Sequence, residues 1–166
     1  MKKIKGDDLR KSDGAQVQKF NIQDAEKLFS LWGQEAVQKG ETRGWLKKKI
    51  VEYLNGLVQG DKFIEINGQT YRVREFAEIV ARTKLREAQT KATLKSCREY
   101  ENDLVAVSDH GTTCEICKEF EGKVFSISGK HLKYPKLKKM PPFHLGCEHS
   151  IMPTSEVAIE ARKKYD

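Results

Sequence analysis

Apolar residues near the start of the chain recur every three or four positions, which is the spacing of one buried helix face. The positions on the first such face are Ile22, Ala25, Phe29, Trp32 and Ala36. Asn21 and Gly40 flank this run, and both are residue types that commonly cap the ends of a helix. A second helix is predicted after Thr42. Its buried positions are expected to be Leu46, Ile50, Tyr53 and Leu57.

The hydrophobic period then changes to two over FIEINGQTYRV, which predicts a β-hairpin over residues 62–73. Asn67-Gly68 lies between the two runs and favours a type I′ turn, because both residue types tolerate a positive φ angle. From Arg74 to about Arg98 the helical period returns. The buried face of this long helix is expected to contain Ala77, Ala81, Leu85, Ala88 and Ala92. The exposed face is expected to carry Arg82, Lys84, Arg86, Lys91, Lys95 and Arg98.

The last third of the chain has shorter patterns. DLVAVSD and KVFSIS predict two short strands, and VAIEARKKYD predicts a short closing helix. Residues 1–20 are charged and have no period, so they are predicted to be a flexible tail.

The composition is that of a folded and rather polar domain, because 38% hydrophobic residues accompany 33% charged residues. The net charge of +7 either serves solubility alone or favours an anionic partner such as nucleic acid or an acidic protein surface. No apolar run reaches the ~20 residues of a membrane span, and the start lacks the apolar stretch of a secretory signal. The chain is therefore expected to be cytosolic and to make no membrane contact. Because thiols stay reduced there, clustered cysteines suggest metal ligands rather than disulfides.

Cysteine and histidine residues concentrate between positions 114 and 149. Cys114 and Cys117 form a CxxC motif, and His144, Cys147 and His149 form an HxxCxH motif; these five residues are called the Cys–His cluster below. Two thiolates at CxxC spacing can bind one ion from a tight turn, and the distal residues can complete a tetrahedral shell. We therefore predict a structural Zn²⁺ ion bound by Cys114, Cys117, His144 and Cys147. His149 remains an alternative fourth ligand, because residues i and i+2 of an extended segment point the same way.

Other kinds of site fit these motifs less well. A thioredoxin-type CxxC follows a strand of a βαβ unit, and a zinc deaminase has HxE and PCxxC motifs; the sequence around the cluster has neither pattern. A ββα-type nuclease needs oxygen ligands and a general-base histidine, for which His110 is the candidate. Because four protein ligands close a zinc site, the site is predicted to be structural and no catalytic residue is predicted. Cys97 is expected to be a buried small residue, and His131 is expected to be exposed.

A lysine-rich segment separates the two halves of the cluster, since residues 123–139 contain six lysines and no acidic residue. It is either a solvated loop or a segment that contacts phosphate groups without reading base sequence. The candidate residues for binding nucleic acid or an acidic partner are Arg82, Arg86, Lys91, Lys133, Lys136, Lys138 and Lys139.

Three segments occur in the order found in a known family: FAEIVARTKLREAQTKATL, DLVAVSDHGTTCEICKEFEGKVFSISG and PPFHLGCEHSIMP. Together they resemble the C-terminal domain of the Mu F-like head morphogenesis family of phage minor head proteins. Leu145 and His149 replace a proline and a cysteine that are common in the family, and Lys84 stands where an acid is common. The resemblance implies a minor capsid protein that contacts portal or capsid protein, with DNA as a further partner of some members. It also implies a role without catalysis, in the cytoplasm of the bacterial host during assembly and then in the virion.

The patterns and the resemblance together predict an α+β fold, with N-terminal helices, a β-hairpin and a long helix followed by a small zinc-stapled β unit. The predicted divisions are a tail at 1–20, a mainly helical region at 21–108, a zinc-binding β unit at 109–153 and a C-terminal helix or tail at 154–166. The expected function is phage head morphogenesis. A zinc-dependent nuclease and a zinc-containing, non-specific nucleic-acid-binding protein are the alternatives.

Overall fold

The computed structural model of the protein describes residues 18–57, 63–66 and 68–164. The helices among these residues are α1 (Ile22–Lys39), α2 (Arg43–Leu57), α3 (Val73–Glu99), α4 (Glu115–Lys118) and α5 (Glu156–Lys163). The strands are β1 (Gln18–Lys19), β2 (Phe63–Ile66), β3 (Gln69–Arg72), β4 (Leu104–Val107), β5 (Val124–Ser126) and β6 (Ile151–Pro153). This confirms the predicted α+β class.

The chain divides into two compact units, Met1–Ala81 and Arg82–Asp166, called the first and second unit. The division falls within α3, whereas the sequence predicts divisions at the ends of elements. Gln18 and Lys19 form a strand, although the predicted tail extends to residue 20. The remainder of that tail, residues 1–17, lies outside the described residues. The predicted divisions at 108 and 153 stay predictions.

The sheet of the first unit has the order β1-β2-β3. β2 and β3 pair antiparallel with Ile66 opposite Gln69, which confirms the predicted hairpin. Gly68 has a φ of 76°, as its place in a tight turn requires, while Asn67 lies outside the described residues. β1 pairs parallel to β2, a contact that joins segments far apart in sequence.

α1 has the predicted caps. The Asn21 side chain accepts a hydrogen bond from the Gln23 backbone N–H, and Gly40 ends the helix at a φ of 69°. Ala25, Phe29 and Ala36 are buried as predicted. Because these contacts are local, the sequence was sufficient to predict this helix.

α2 departs from the predicted pattern. Its buried residues are Leu46, Ile50 and Leu54, so the buried row advances by four residues at each step. Tyr53 is half-buried and makes a T-shaped ring contact with Phe29, at 5.7 Å between ring centroids. Leu57, in the last turn, is exposed.

α3 buries different faces in its two halves. Its N-terminal part buries an apolar row that includes Phe76 and Val80, and its C-terminal part buries Thr90 and Cys97. Ala77, Ala81 and Ala88 are buried as predicted, and so is Cys97. The prediction is wrong at Ala92, which is exposed, and Leu85 is half-buried. The prediction assumed one continuous buried face along α3, whereas the two halves of the helix bury different faces.

Lys84 was predicted to be exposed, but its side chain is only 5% exposed. Its ammonium group lies 3.1 Å from a Glu87 carboxylate oxygen one turn away. A lysine stem can be buried in this way because its charge is compensated at the tip. Lys84 is therefore not part of the exposed basic face that was predicted for α3.

The second unit contains a sheet of order β5-β4-β6, with β4 antiparallel to both neighbours. All four residues of the central β4 are buried. The sequence predicted β4 and β5 but not β6. Around the sheet lies a core that includes Val105, Phe120, Phe125 and Phe143, with Cys117 and Cys147 among its buried members. Two of the five metal-ligand candidates, Cys117 and Cys147, are thus part of this core.

α5 closes the described chain as predicted, with Ser155 accepting a hydrogen bond from the Ala158 backbone N–H. Within the described residues, none of the helices is both long enough and apolar enough to cross a membrane.

Candidate metal centre

The CxxC half of the cluster lies on a short helical turn. Cys114 occupies the N-cap position of α4, and its carbonyl accepts hydrogen bonds from the backbone N–H groups of Cys117 and Lys118 at 3.0 Å. The Cys114 N–H in turn donates to the Thr112 hydroxyl oxygen at 3.1 Å. The turn therefore fixes the two cysteines relative to each other.

The second half of the cluster is a turn fastened to α3. The Cys147 N–H donates to the His144 carbonyl at 3.1 Å, and Gly146 has a φ of 79° that favours glycine. The Gly146 N–H donates to the Thr83 hydroxyl oxygen at 2.8 Å. Beside it, Arg82 and Glu148 form an ion pair at 2.5 Å. Two contacts to one helix thus position His144 and Cys147.

The distances between the candidate ligand atoms suit a small ion. His144 Nε2 lies 3.5 Å from Cys114 Sγ and 3.2 Å from Cys117 Sγ, and the Sγ atoms of Cys117 and Cys147 are 3.9 Å apart. Tetrahedral zinc, with its bond lengths of roughly 2.0–2.3 Å, requires ligand atoms roughly 3.3–3.8 Å apart. The described residues contain two groups able to hold a metal ion, Cys114–Cys117–His144 and Cys117–Cys147–His149. Both groups include Cys117.

His149 also faces the sulfurs. Its Nδ1 lies 3.5 Å from Cys147 Sγ, and the residue is buried. The structure therefore brings together all five predicted cluster residues in two overlapping groups. His131 belongs to neither group; it is half-buried, and its Nε2 lies 3.3 Å from a Glu156 carboxylate oxygen.

The cysteines have different electrostatic surroundings. The backbone N–H of Cys117, followed by that of Ile116, lowers the pKa of the Cys114 thiol. Burial, reinforced by the neighbouring Cys114 and Cys147 sulfurs, raises the pKa of Cys117 to about 12. Three thiolates this close are unfavourable without a cation between them, and a bound cation reverses that cost. Three thiols and two imidazoles are also donors that zinc prefers, so the residues present fit such an ion.

Glu121 belongs to this site, although the sequence did not indicate it. Its carboxylate accepts hydrogen bonds from the backbone N–H groups of His110 at 2.7 Å and Thr112 at 2.9 Å. It also lies 3.1 Å from His149 Nε2. Burial would raise the pKa of Glu121, but these two N–H groups and the His149 ring outweigh it and hold the pKa below its usual range. The sequence feature that could have indicated Glu121 was its position as an acidic residue one helical turn after Cys117.

His110, the candidate general base, is exposed and lies outside both groups of potential ligands. Its Nε2 is 2.9 Å from the Ser108 hydroxyl oxygen. Among the described residues, both groups consist of sulfur and nitrogen donors. This set differs from the oxygen-rich shell predicted for a nuclease of this kind.

The predicted basic residues have different environments. Arg82 pairs with Glu148, Arg86 donates to the Gln89 side chain, and Lys139 donates to the Phe143 carbonyl. These three cations contribute to the structure of the second unit. The remaining candidates are exposed: Lys91, Lys133, Lys136 and Lys138.

A family model described as phage minor capsid protein 2 matches residues 47–153 of the chain. The match begins in α2, ends with β6 and includes the whole Cys–His cluster. Searches of curated proteins and of solved structures found no match. The narrower resemblance to Mu F-like proteins stays a prediction. Because the match covers more than half of the chain, the protein belongs to the phage minor capsid protein 2 family, as predicted for a phage minor head protein.

Proposed function

We propose that the protein is a structural component of the phage head that acts in head morphogenesis by contacting portal or capsid protein. The family match carries this proposal, since a minor capsid protein works through contacts with other virion proteins. Its place would be the host cytoplasm during assembly and the virion afterwards. Catalysis is not part of the proposed role.

We further propose that Zn²⁺ holds the second unit together. Cys114, Cys117 and Cys147 would supply three ligands, and His144 or His149 the fourth. The support is the Cys–His cluster itself, in which Cys117 is shared by both groups of potential ligands. Four protein ligands leave no position for a substrate, so this zinc would be structural. It would join segments some 30 residues apart in a part of the chain with few strands.

Metal analysis of purified protein tests the zinc proposal. We expect one zinc per chain in the wild type, measured by plasma mass spectrometry, and none in Cys117→Ser. Cys97→Ser is the matched control, because Cys97 is equally buried but lies outside both groups of potential ligands. Full zinc occupancy in Cys117→Ser, or wild-type protein that purifies without zinc, would contradict the proposal.

Deletion of the gene in its phage tests the head-assembly role. We expect the protein among the components of purified virions, and we expect the deletion to reduce DNA-filled heads, as counted by electron microscopy. Expression of the wild-type chain should restore them. Normal numbers of infectious particles from the deletion phage would rule out a required assembly role.

Non-specific contact with DNA is a second candidate function. Lys133, Lys136 and Lys138 are exposed in a segment without acidic residues, which is a suitable surface for phosphate groups. Binding to a labelled duplex, measured by fluorescence anisotropy, should then weaken steeply with salt. It should weaken further when Lys133, Lys136 and Lys138 are all replaced by glutamate. Absence of binding at low salt would exclude this function.

The nuclease alternative has less support, because the cluster offers sulfur and nitrogen donors rather than oxygen ligands.

A further inference from the structure

The ring of His149 is fixed on several sides. Its side chain is only 4% exposed, and its Nε2 lies 3.1 Å from a carboxylate oxygen of Glu121, itself only 10% exposed. The ring packs against Phe143 and against the edge of His110, at centroid distances of 5.9 Å and 5.1 Å. An imidazole held in this way has little freedom to rotate before a ligand arrives.

The contact with Glu121 determines which nitrogen of His149 is available. A carboxylate accepts hydrogen bonds, so the proton of a neutral imidazole is placed on Nε2 and the lone pair on Nδ1. Nδ1 is the nitrogen that lies 3.5 Å from Cys147 Sγ and belongs to the group with Cys117 and Cys147. Metal-binding histidines commonly donate their second N–H to a carboxylate in this manner.

Glu121 also connects the two halves of the Cys–His cluster. Its backbone N–H donates to the Cys117 carbonyl at 2.9 Å. Its carboxylate accepts from the Thr112 N–H, and the Thr112 hydroxyl oxygen accepts from the Cys114 N–H. Glu121 is thus hydrogen-bonded to the CxxC turn, directly through its backbone and indirectly through Thr112. It is also hydrogen-bonded to the distal HxxCxH motif through His149.

His144 is less buried than His149, although its Nε2 also faces sulfurs, at 3.5 Å from Cys114 Sγ and 3.2 Å from Cys117 Sγ. Its Nδ1 contacts the carbonyl of the adjacent Leu145 at 2.9 Å, an interaction within its own turn, and the residue is half-buried. A ligand that is already oriented loses less conformational freedom when the metal binds. This difference favours His149 as the histidine of the metal shell.

We infer that Glu121 is the positioning residue of the metal centre: it orients His149 so that Nδ1 completes the shell formed by Cys114, Cys117 and Cys147. The inference rests on the proposed zinc site and extends it, because it identifies the fourth ligand and the side chain that prepares it. His144 then has a place beside the metal shell rather than in it.

The first test needs no variant. Protein loaded with ¹¹³Cd²⁺ in place of zinc is studied by NMR, and scalar coupling between the metal and ring nuclei identifies the bound histidine. We expect coupling to His149 through Nδ1, with the proton on Nε2. Coupling to His144 alone would overturn the inference while leaving the zinc proposal intact. Wild-type protein that binds no metal would overturn both.

The second test measures zinc affinity by competition with a chromophoric chelator. Glu121→Gln should bind zinc about 10- to 100-fold more weakly than wild type, the usual effect of losing such a partner. Glu119→Gln is the matched control, because Glu119 is an exposed acid of the same segment. In metal-free Glu121→Gln, the NMR signals of the His149 ring should show a larger share of the form with the proton on Nδ1 than in metal-free wild type, because an amide oxygen is a weaker acceptor than a carboxylate. Wild-type zinc affinity in Glu121→Gln would refute the positioning role.

Discussion

Asp103 fastens the segment that follows β5 with both oxygens of its carboxylate. One oxygen accepts a hydrogen bond from the Ser126 hydroxyl at 2.5 Å, and the other accepts from the Ser128 backbone N–H at 2.7 Å. Burial would raise the pKa of Asp103, but these hydrogen bonds outweigh it and the pKa lies below its usual range. The ionised carboxylate therefore contributes stability above about pH 3.9, the value for an unfolded chain, and that contribution is lost as pH falls through the lower folded pKa.

Replacement of Asp103 by Asn should lower the free energy of unfolding at pH 7 by about 1 kcal/mol, because the charged acceptor is lost. Urea denaturation at pH 7 measures the effect. Glu99→Gln, which replaces an exposed acid of α3, is the control and should change the free energy of unfolding little. A free energy of unfolding for Asp103→Asn equal to that of the wild type would contradict the assigned role of the carboxylate.

At the level of elements, α1 offers a direct test of its buried face. Phe29 is fully buried against the rings of Trp32 and Tyr53, whereas Leu31, two positions later, is 60% exposed. Phe29→Ala should destabilise the protein by about 3–5 kcal/mol, since it removes a large buried side chain and leaves a cavity. Leu31→Ala should cost less than about 1 kcal/mol. Similar midpoints for the two variants in urea denaturation would mean that the buried face is assigned wrongly.

The elements that the sequence predicted well are those with local causes. The caps Asn21 and Gly40 and the β2–β3 hairpin each depend on residues within a few positions of one another. β6 was not predicted because three residues, Ile151–Pro153, form a strand only through pairing with β4, more than 40 positions earlier. Ala92 was assigned wrongly for a related reason, since sequence period alone does not show that α3 changes its buried face. Distant contacts therefore account for these errors.

The same distinction applies to the candidate site. The five residues of the Cys–His cluster could be identified because CxxC and HxxCxH motifs within one short segment are typical of metal sites. Glu121 could not be identified, because its function depends on folding that brings His110, Thr112 and His149 to one carboxylate. Glutamate is common on protein surfaces, so the residue type alone carries little information.

At the level of the whole molecule, the cores of the two units have different compositions. The first unit has an apolar core that includes Phe29, Ile50 and Phe76, without cluster residues. The core of the second unit contains Cys117 and Cys147 and surrounds the candidate metal site. Since thiolates at these positions need a cation nearby, the folding of the second unit should depend on zinc far more than that of the first.

Removal of zinc by a strong chelator should therefore affect the second unit selectively. Amide hydrogen exchange, read by mass spectrometry, should show lost protection in β4 and β6, where backbone pairing depends on the core around Cys117 and Cys147. Both tryptophans, Trp32 and Trp45, belong to the first unit, so their fluorescence spectrum should stay that of the folded protein. Added zinc should restore protection. Unchanged exchange in β4 and β6 would show that the metal does not stabilise this unit, and a shift of the tryptophan emission to that of unfolded protein would show that the first unit also depends on it.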